Sequence, residues 1–539
     1  MMQFSDAGRG VVHRYLPRID LWFVLALLVG LTLRCQYITL PMAEAHSWRQ
    51  ITNLDIARNF TELSGNILYP QVSWGGPRDA FVSMEFPLLQ WLAGMLFHVF
   101  SHPELVGRIL AIAFSMGTLI AIYGLGCRLF TRPVARAAAF LIAVSPSLVF
   151  FGRTFISDTP MVFFSVAGLW GLVTYTQTRD RRAAWLGITC TALACLVKIP
   201  ALLLLAPVFW LAWMDVRRAP DSRAEWALAP HVRALFQPVW IAALAVPFLA
   251  TALWYWHGDR LFHATGLGQA IFHPSGGYSP DVAVAMGPIM GVSHWSTLHQ
   301  LTDPEFYSTL LDRTYYLHLT PTGFALTLVG LAIGWRRKGA GIVFVWLAAV
   351  LLFIMASAEG NRYHEFHQLP MLPPAALLFG LAAGAAFDGD WLRRVTGSRL
   401  APLAIAAVVV FIGLVGFTYS NVVYNFFRPE RLDLRPIDAG RAIEGQVPLN
   451  DTIVVVEYAQ YGANSPILLF RSHRKGWSFD LSSISPHVVQ RLQRQFGATY
   501  FATTIWSELE RRQPVLAEYL KTQERIDIGV TDTALFKLH

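Results

Sequence analysis

The stretch PMAEAHSWRQITNLDIARNF, residues 41–60, sets Glu44, His46, Arg49, Asp55 and Arg58 directly behind an apolar run of membrane length. Carboxylate, imidazole and guanidinium groups in one segment are equipped to move a proton and to hold an anion. Three later segments add compatible groups. SPSLVFFGRTFISDTP (145–160) carries Arg153 and Asp158, and LVKIPALLLLAP carries Lys198, the only lysine before Lys338. EGNRYHEFHQLPMLPP (359–374) crowds Arg362, Tyr363, His364 and His367 into one loop. Cations gathered in this way could hold a phosphate and stabilise the charge that grows on it as a bond breaks. Phosphate leaves without a general acid, whereas an incoming hydroxyl gains from a base, so the chemistry asks for one carboxylate.

Read as a helix from Glu44 onward, the stretch has no clean apolar stripe. Glu44, Trp48, Ile51, Asp55 and Arg58 share one face, and His46, Arg49, Gln50 and Asn53 gather opposite. A helix that is polar on two sides does not simply lie on lipid; it is expected to be clamped between a membrane bundle and an outer domain. Glu44 and Asp55 would then stand roughly 16 Å apart at 1.5 Å per residue, too far to serve one reaction centre. Glu44 at the helix start could instead only complement the helix dipole.

The elements that must position these groups are mostly apolar. Of 539 residues, 54% are hydrophobic and 14% charged, against about 25% charged in soluble domains. Apolar runs at 20–37, 106–127, 134–151, 159–177, 184–197, 200–214, 238–256, 321–335, 341–356, 369–387 and 401–419 approach the roughly 20 residues of a spanning helix. Arg and Lys are retained on the cytoplasmic side. With Arg9, Arg14 and Arg18 inside, five later basic clusters also fall inside only if the run 86–100 does not cross. The expectation is therefore eleven spans in an α-helical polytopic membrane protein, with 86–100 interfacial and the C-terminus outside. The Ala-Glu-Ala triplet at 43–45 leaves a cleaved signal peptide as the competing reading of the first run.

Residues 1–19 read as a cytoplasmic N-terminus and 20–420 as the membrane domain, with long outer loops at 38–105 and 258–320. Loops of that length usually carry function. Residues 421–539 read as a soluble α/β domain on the outer face: TIVVVEYA and ATYFATT resemble strands, SPHVVQRLQRQFG and PVLAEYLKTQ helices, and RIDIGVTDTALFKL a closing hairpin. No phosphate-loop pattern follows its strands. The four cysteines lie in or beside apolar runs and suggest neither a disulfide framework nor a metal site. The net charge of +8 sits in loops facing headgroups, which argues against a nucleic-acid partner.

These features together resemble a GT-C glycosyltransferase of family 39, the group of protein O-mannosyltransferases and aminoarabinose lipid A transferases. The likeness covers residues 20 to about 420 and rests on an acid ahead of IARNF, on MEFPLLQWLAGMLFHVF, RTFISDTPM and VKIP, and on RYHEFHQLPMLPP. It implies an inverting transfer from a polyprenyl-phosphate sugar, with the active site facing outside, and a horizontal first-loop helix. Carried across, Glu44 becomes the base. An ungapped alignment on IARNF instead sets the family's acids opposite Arg49 and Gln50, which keeps Asp55 in contention. Arg153, Lys198 and Arg362 would bind the donor phosphate, since Phe86 replaces a family lysine. His46, Arg49, Arg58, Asp158, Tyr363, His364 and His367 would line the substrate site. Glu85 matches a family metal position, making a divalent ion a candidate cofactor with His257, His263, His273, His294 or His299 as partner.

The resulting expectation is a multi-pass inner-membrane transferase. It would take a sugar from a polyprenyl-phosphate donor to a glycan, lipid or protein acceptor, amid membrane lipids. A flippase of lipid-linked glycans would want charges at mid-span and two related halves; here the charges gather at one boundary. A non-catalytic membrane scaffold is the other alternative.

Overall fold

The computed structural model describes residues 20–215, 236–268, 297–388, 394, 397–398, 432–458 and 465–539. The expected span at 401–419, His273, His294 and the N-terminal segment 1–19 lie outside the described residues.

The chain folds as a helical bundle capped by a mixed sheet domain. Its helices are α1 (Leu21–Cys35), α2 (Ser47–Glu62), α3 (Leu88–Phe97), α4 (Pro103–Leu129), α5 (Arg132–Val144), α6 (Pro146–Phe151), α7 (Asp158–Thr178), α8 (Arg181–Val197) and α9 (Leu205–Asp215). After them come α10 (Pro238–Thr265), α11 (Thr320–Gly334), α12 (Ala340–Ala356) and α13 (Leu372–Ala383). Four stretches among the described residues are long and apolar enough to cross a membrane: Pro103–Leu129, Asp158–Thr178, Pro238–Thr265 and Glu365–Phe387. A fifth would be the pair Pro304–His318 and Thr320–Gly334, bent by 105°. Leu21–Cys35, Ile199–Asp215 and Ala340–Ala356 are apolar but shorter.

Prolines account for several departures from the expected runs. The run 134–151 breaks at Ser145-Pro146 into α5 and α6, and the two runs around Lys198 meet at a 3₁₀ turn, Ile199–Leu204, that opens on Pro200. The ambiguous run 86–100 becomes α3, ten residues long, about 15 Å and too short to cross. Within the bundle α7 and α8 approach closely, because a Cβ on Gly171 would lie 2.6 Å from the Gly187 nitrogen. The guanidinium of Arg34 is fully buried and donates to Ser115 Oγ at 2.7 Å and to the carbonyls of Gly30, Ala143 and Ile142, tying α1 to α4 and α5.

The C-terminal domain, called outer here only because it caps one end of the helical bundle, is a five-stranded sheet of order β2-β1-β3-β5-β4: β1 (Thr452–Tyr458), β2 (Lys475–Asp480), β3 (Tyr500–Thr503), β4 (Glu524–Ile526) and β5 (Ala534–Lys537). β1 pairs in parallel with β2 and β3, and β4 and β5 form the antiparallel pair expected of the tail. Its helices are α14 (Arg435–Gln446), α15 (Ile467–Ser472), α16 (Pro486–Phe496), α17 (Trp506–Arg512) and α18 (Pro514–Lys521). The centre of β1, Ile453–Val456, is apolar because both its faces are covered. Val454 and Val456 meet the cluster under α16 and α18, while Ile453 and Val455 meet Ile56, Phe60, Val72 and Trp74 of the first outer loop. That loop also extends the sheet edge: Gly76 N–H donates to the Gly476 carbonyl at 2.8 Å, and Gly476 N–H to that of Ser73 at 3.0 Å.

α2 is therefore held as expected, with α3 and α4 on one side and the outer domain on the other. Asp55 is completely buried and accepts from Ser73 N–H at 2.7 Å, Ser73 Oγ at 2.6 Å and Arg58 Nη2 at 2.9 Å. Arg58 donates onward to the Phe470 carbonyl at 2.8 Å and lies 4.5 Å from that residue's ring centroid. Removing one partner of such a pair strands the other charge. Asp55→Ala should therefore cost about 3 kcal/mol or more of stability, read as a lowered thermal unfolding midpoint in detergent; an unchanged midpoint would contradict this role.

Candidate active site at the outer end of the bundle

The site is built on a short strap, residues 36–46, between α1 and α2. Glu44 does not open α2 as expected: the helix begins at Ser47, and His46 precedes it in a left-handed conformation with φ 58°. Three side chains from the bundle hold the strap. Arg153, on the turn between α6 and α7, donates to the carbonyls of Gln36 and Tyr37. Arg108, wholly buried in α4, donates to the Leu40 carbonyl at 3.2 Å. Glu104 accepts from Met42 N–H at 2.8 Å, and its carboxylate also pairs with Arg471 of the outer domain.

Glu44 is clamped at the end of this strap. Its Oε1 lies 2.7 Å from Arg108 Nη1 and its Oε2 accepts from Arg108 Nη2 at 3.0 Å. Gln50 Nε2 donates to Oε1 at 3.3 Å, and Gln50 Oε1 in turn accepts from Phe155 N–H. Burial pushes the Glu44 carboxyl up, but the charges of Arg108 and Arg153 outweigh it and hold the group below its ordinary value. The result is an ionised, oriented carboxylate rather than a strong base.

A second cluster follows along the chain. Lys198 Nζ lies 2.6 Å from Asp158 Oδ2, with both residues buried, and 5.0 Å from the Phe366 ring centroid. Asp158 Oδ1 has no hydrogen-bond partner among the described residues. Arg49 donates to both oxygens of Glu85, at 2.9 and 3.1 Å, and this pair lies within electrostatic reach of Asp158. His46 Nε2 is 2.9 Å from Glu365 Oε1 and its ring stands 5.1 Å from Phe366. His364 stacks on Phe366 and lies 5.6 Å from His367. Phe366 thus connects His46, beside Glu44, to Lys198, and the two clusters form one site.

Several expected members stand elsewhere. Arg362 points to Asp303 at 2.9 Å and Glu305 at 2.7 Å, so its charge is spent on the outer loop and not on a phosphate shared with Lys198. Tyr363 is exposed. Asp55 and Arg58 belong to the α2 fastening, where Asp55 is wholly buried while Glu44 keeps a partial exposure. Arg153 Nη1 and Nη2 donate to the strap carbonyls, which makes it a positioning group for the backbone that carries Glu44.

The residues around Glu85 do not fit a metal site as they stand. Both of its oxygens hold Arg49, and among the described residues no three His, Cys, Asp or Glu side chains converge as ligands would. His257 bonds the Leu68 carbonyl and His263 lies by Asp259, four residues away.

Arg108, Glu104 and Glu365 were not singled out in the sequence. Arg108 had a readable signal, a lone charge in the apolar run LVGRILAIAF, where an ionisable group costs about 2.5–3.5 kcal/mol and needs a partner. Glu365 sat between two histidines that drew the notice instead.

The histidine loop makes stability depend on pH. Burial, then the charges of His46 and Arg49, lower the His364 pKa from 6.5 to about 3. The folded state keeps this imidazole neutral where the unfolded chain protonates it, so its contribution is complete above pH 6.5 and fades as pH falls toward 3. The wild type should thus lose thermal stability between pH 7 and 5, and His364→Asn should lose less; parallel melting curves for the two proteins would refute the assignment.

Comparison with known proteins supports the architecture. Residues 84–242 match the family model described as dolichyl-phosphate-mannose-protein mannosyltransferase. No curated protein gives a significant match to the chain. Among solved structures, ArnT from Cupriavidus metallidurans, bound to undecaprenyl phosphate, superposes with TM-score 0.58 at 13% identity, covering 96% of this chain and 98% of that one. The oligosaccharyltransferase AglB from Archaeoglobus fulgidus, in complex with an inhibitory peptide and a dolichol-phosphate, gives 0.56 at 13% identity over 94% of this chain and 72% of its own. The arabinofuranosyltransferase AftD from Mycobacteria gives 0.52 at 15% identity, over 96% of this chain and 41% of its own. These likenesses show the fold: the chain shares the architecture of these GT-C membrane glycosyltransferases.

Proposed function

We propose that this protein transfers a hexosyl or pentosyl group from a polyprenyl-phosphate donor to a hydroxyl of a glycan, lipid or protein, at the outer face of the inner membrane and with inversion. The observation that carries the reading is Glu44, clamped ionised by Arg108 at the outer end of the bundle and joined through His46 and Phe366 to Lys198. The lipid phosphates held by two of the superposed structures and the mannosyltransferase family match support it.

In this mechanism the acceptor hydroxyl donates its proton to Glu44 as its oxygen attacks the donor's anomeric carbon. The bond from that carbon to the phosphate oxygen breaks on the opposite face, and its electron pair leaves with the phosphate. Arg49 and Lys198 receive the growing charge, exchanging part of their contact with Glu85 and Asp158 for the phosphate oxygens. The modest basicity of Glu44 suffices, because the leaving group needs no protonation and the carboxylate mainly orients the hydroxyl. A narrow apolar seam of about 20 Å³, lined by Met161, Val162, Pro200, Ala201, Trp346 and Val350, begins two residues from Lys198. It offers the start of a path for the prenyl tail once the flanking helices part.

Protein in lipid nanodiscs, given polyprenyl-phosphate sugars, should release free polyprenyl phosphate only when an acceptor is present. Glu44→Gln should lower that release by about a hundredfold or more, with undecaprenyl phosphate binding and the unfolding midpoint retained; undiminished release would end its candidacy. Lys198→Met combined with Asp158→Asn removes the buried pair without stranding a charge. It should weaken undecaprenyl phosphate binding about tenfold, and unaltered binding would move the phosphate away from this pair.

A further inference from the structure

A cavity of about 520 Å³ opens between the strap and the outer domain. Ile38, Leu40 and Leu105 are among its apolar lining residues, and Arg441, Arg471, Glu104 and Glu444, with the imidazoles of His102 and His473, among its polar ones. We propose that this cavity binds an uncharged saccharide, which on the reading above is the docking part of the acceptor.

The first ground is position. The Leu40 carbonyl in the cavity wall bonds Arg108, the partner of Glu44, and Glu104 in the same wall bonds Met42 N–H. The cavity and the carboxylate are thus held by the same short piece of chain, with Arg108 bonded to both the Leu40 that lines one and the Glu44 that forms the other. The second ground is charge. The two guanidinium and two carboxylate groups cancel formally, while together they supply both donors and acceptors. A lipid phosphate or an acidic polymer would call for an excess of cations, whereas sugar hydroxyls both give and take hydrogen bonds. The third ground is surface: the half-buried Ile38, Leu40 and Leu105 provide apolar area for the C–H face of a pyranose ring. The volume falls in the range of small-molecule sites, roughly 300–1,000 Å³.

The test uses the full chain in nanodiscs and neutral tri- and tetrasaccharides of glucose, mannose, galactose and N-acetylglucosamine, read by saturation-transfer NMR. At least one should bind. Thr39→Trp, which fills the cavity from an exposed lining position, and the double variant Arg441→Ala with Glu444→Ala should each weaken that binding about tenfold. Both should leave undecaprenyl phosphate binding and the unfolding midpoint unchanged. The proposal is overturned if no neutral saccharide binds, if both variants bind like the wild type, or if a sulfated counterpart binds more tightly than the neutral sugar. Saccharide binding here without any polyprenyl phosphate release would uphold this site and defeat the transferase reading alone.

Discussion

Arg108 carries its charge inside an apolar helix, and satisfying that charge organises the outer end of the bundle. A guanidinium so placed must find a carboxylate and further acceptors or it would not be tolerated. It finds Glu44 and the Leu40 carbonyl, and in doing so draws the strap against α4. Arg153 and Glu104 repeat the operation at Gln36, Tyr37 and Met42. Glu44 is positioned because the backbone on its N-terminal side is bonded to the bundle, not because a helix presents it. A carboxylate held by three separate elements loses little freedom on meeting a substrate, which is what preorganised catalysis requires.

The same logic separates the acids that face the site from those that hold the fold. Asp55 and Glu44 lie eleven positions apart in one segment, yet their surroundings differ. Asp55 spends both oxygens on Ser73 and Arg58 inside a sealed contact, whereas Glu44 stands where the strap turns into α2. Arg49 and Lys198 are paired with Glu85 and Asp158, so cations wait at the site without remaining bare, each with an anion that a phosphate can partly replace.

Much of this was legible from residues alone. Composition and run length disclosed a membrane bundle with a C-terminal module, and the strand-like runs TIVVVEYA and ATYFATT with the closing hairpin anticipated four of its five strands. The convergence of the first-loop, Asp158, Lys198 and His364 segments was also readable, since charges are rarely placed at one boundary without cause. What escaped has physical reasons. Arg362 and Arg153 look alike in sequence, and only the fold shows that one faces Asp303 while the other faces backbone carbonyls. The left-handed His46 carries no glycine to announce that the helix starts late. β2 reads KGWSFD, with no apolar run to mark it, and its edge is completed by the distant residues Ser73 and Gly76, which no local pattern reveals.

The sheet packs Ile453 and Val455 against Ile56, Phe60, Val72 and Trp74, uniting residues almost four hundred positions apart. During synthesis the first outer loop emerges long before the strands that will cover it, because chains appear N-terminus first at roughly 5–20 residues per second. For tens of seconds its apolar side must be shielded by lipid or by a chaperone. Biogenesis of the outer loop is thereby tied to completion of the last hundred residues, and a chain stopped short of them would present quality-control proteases with an uncovered hydrophobic face.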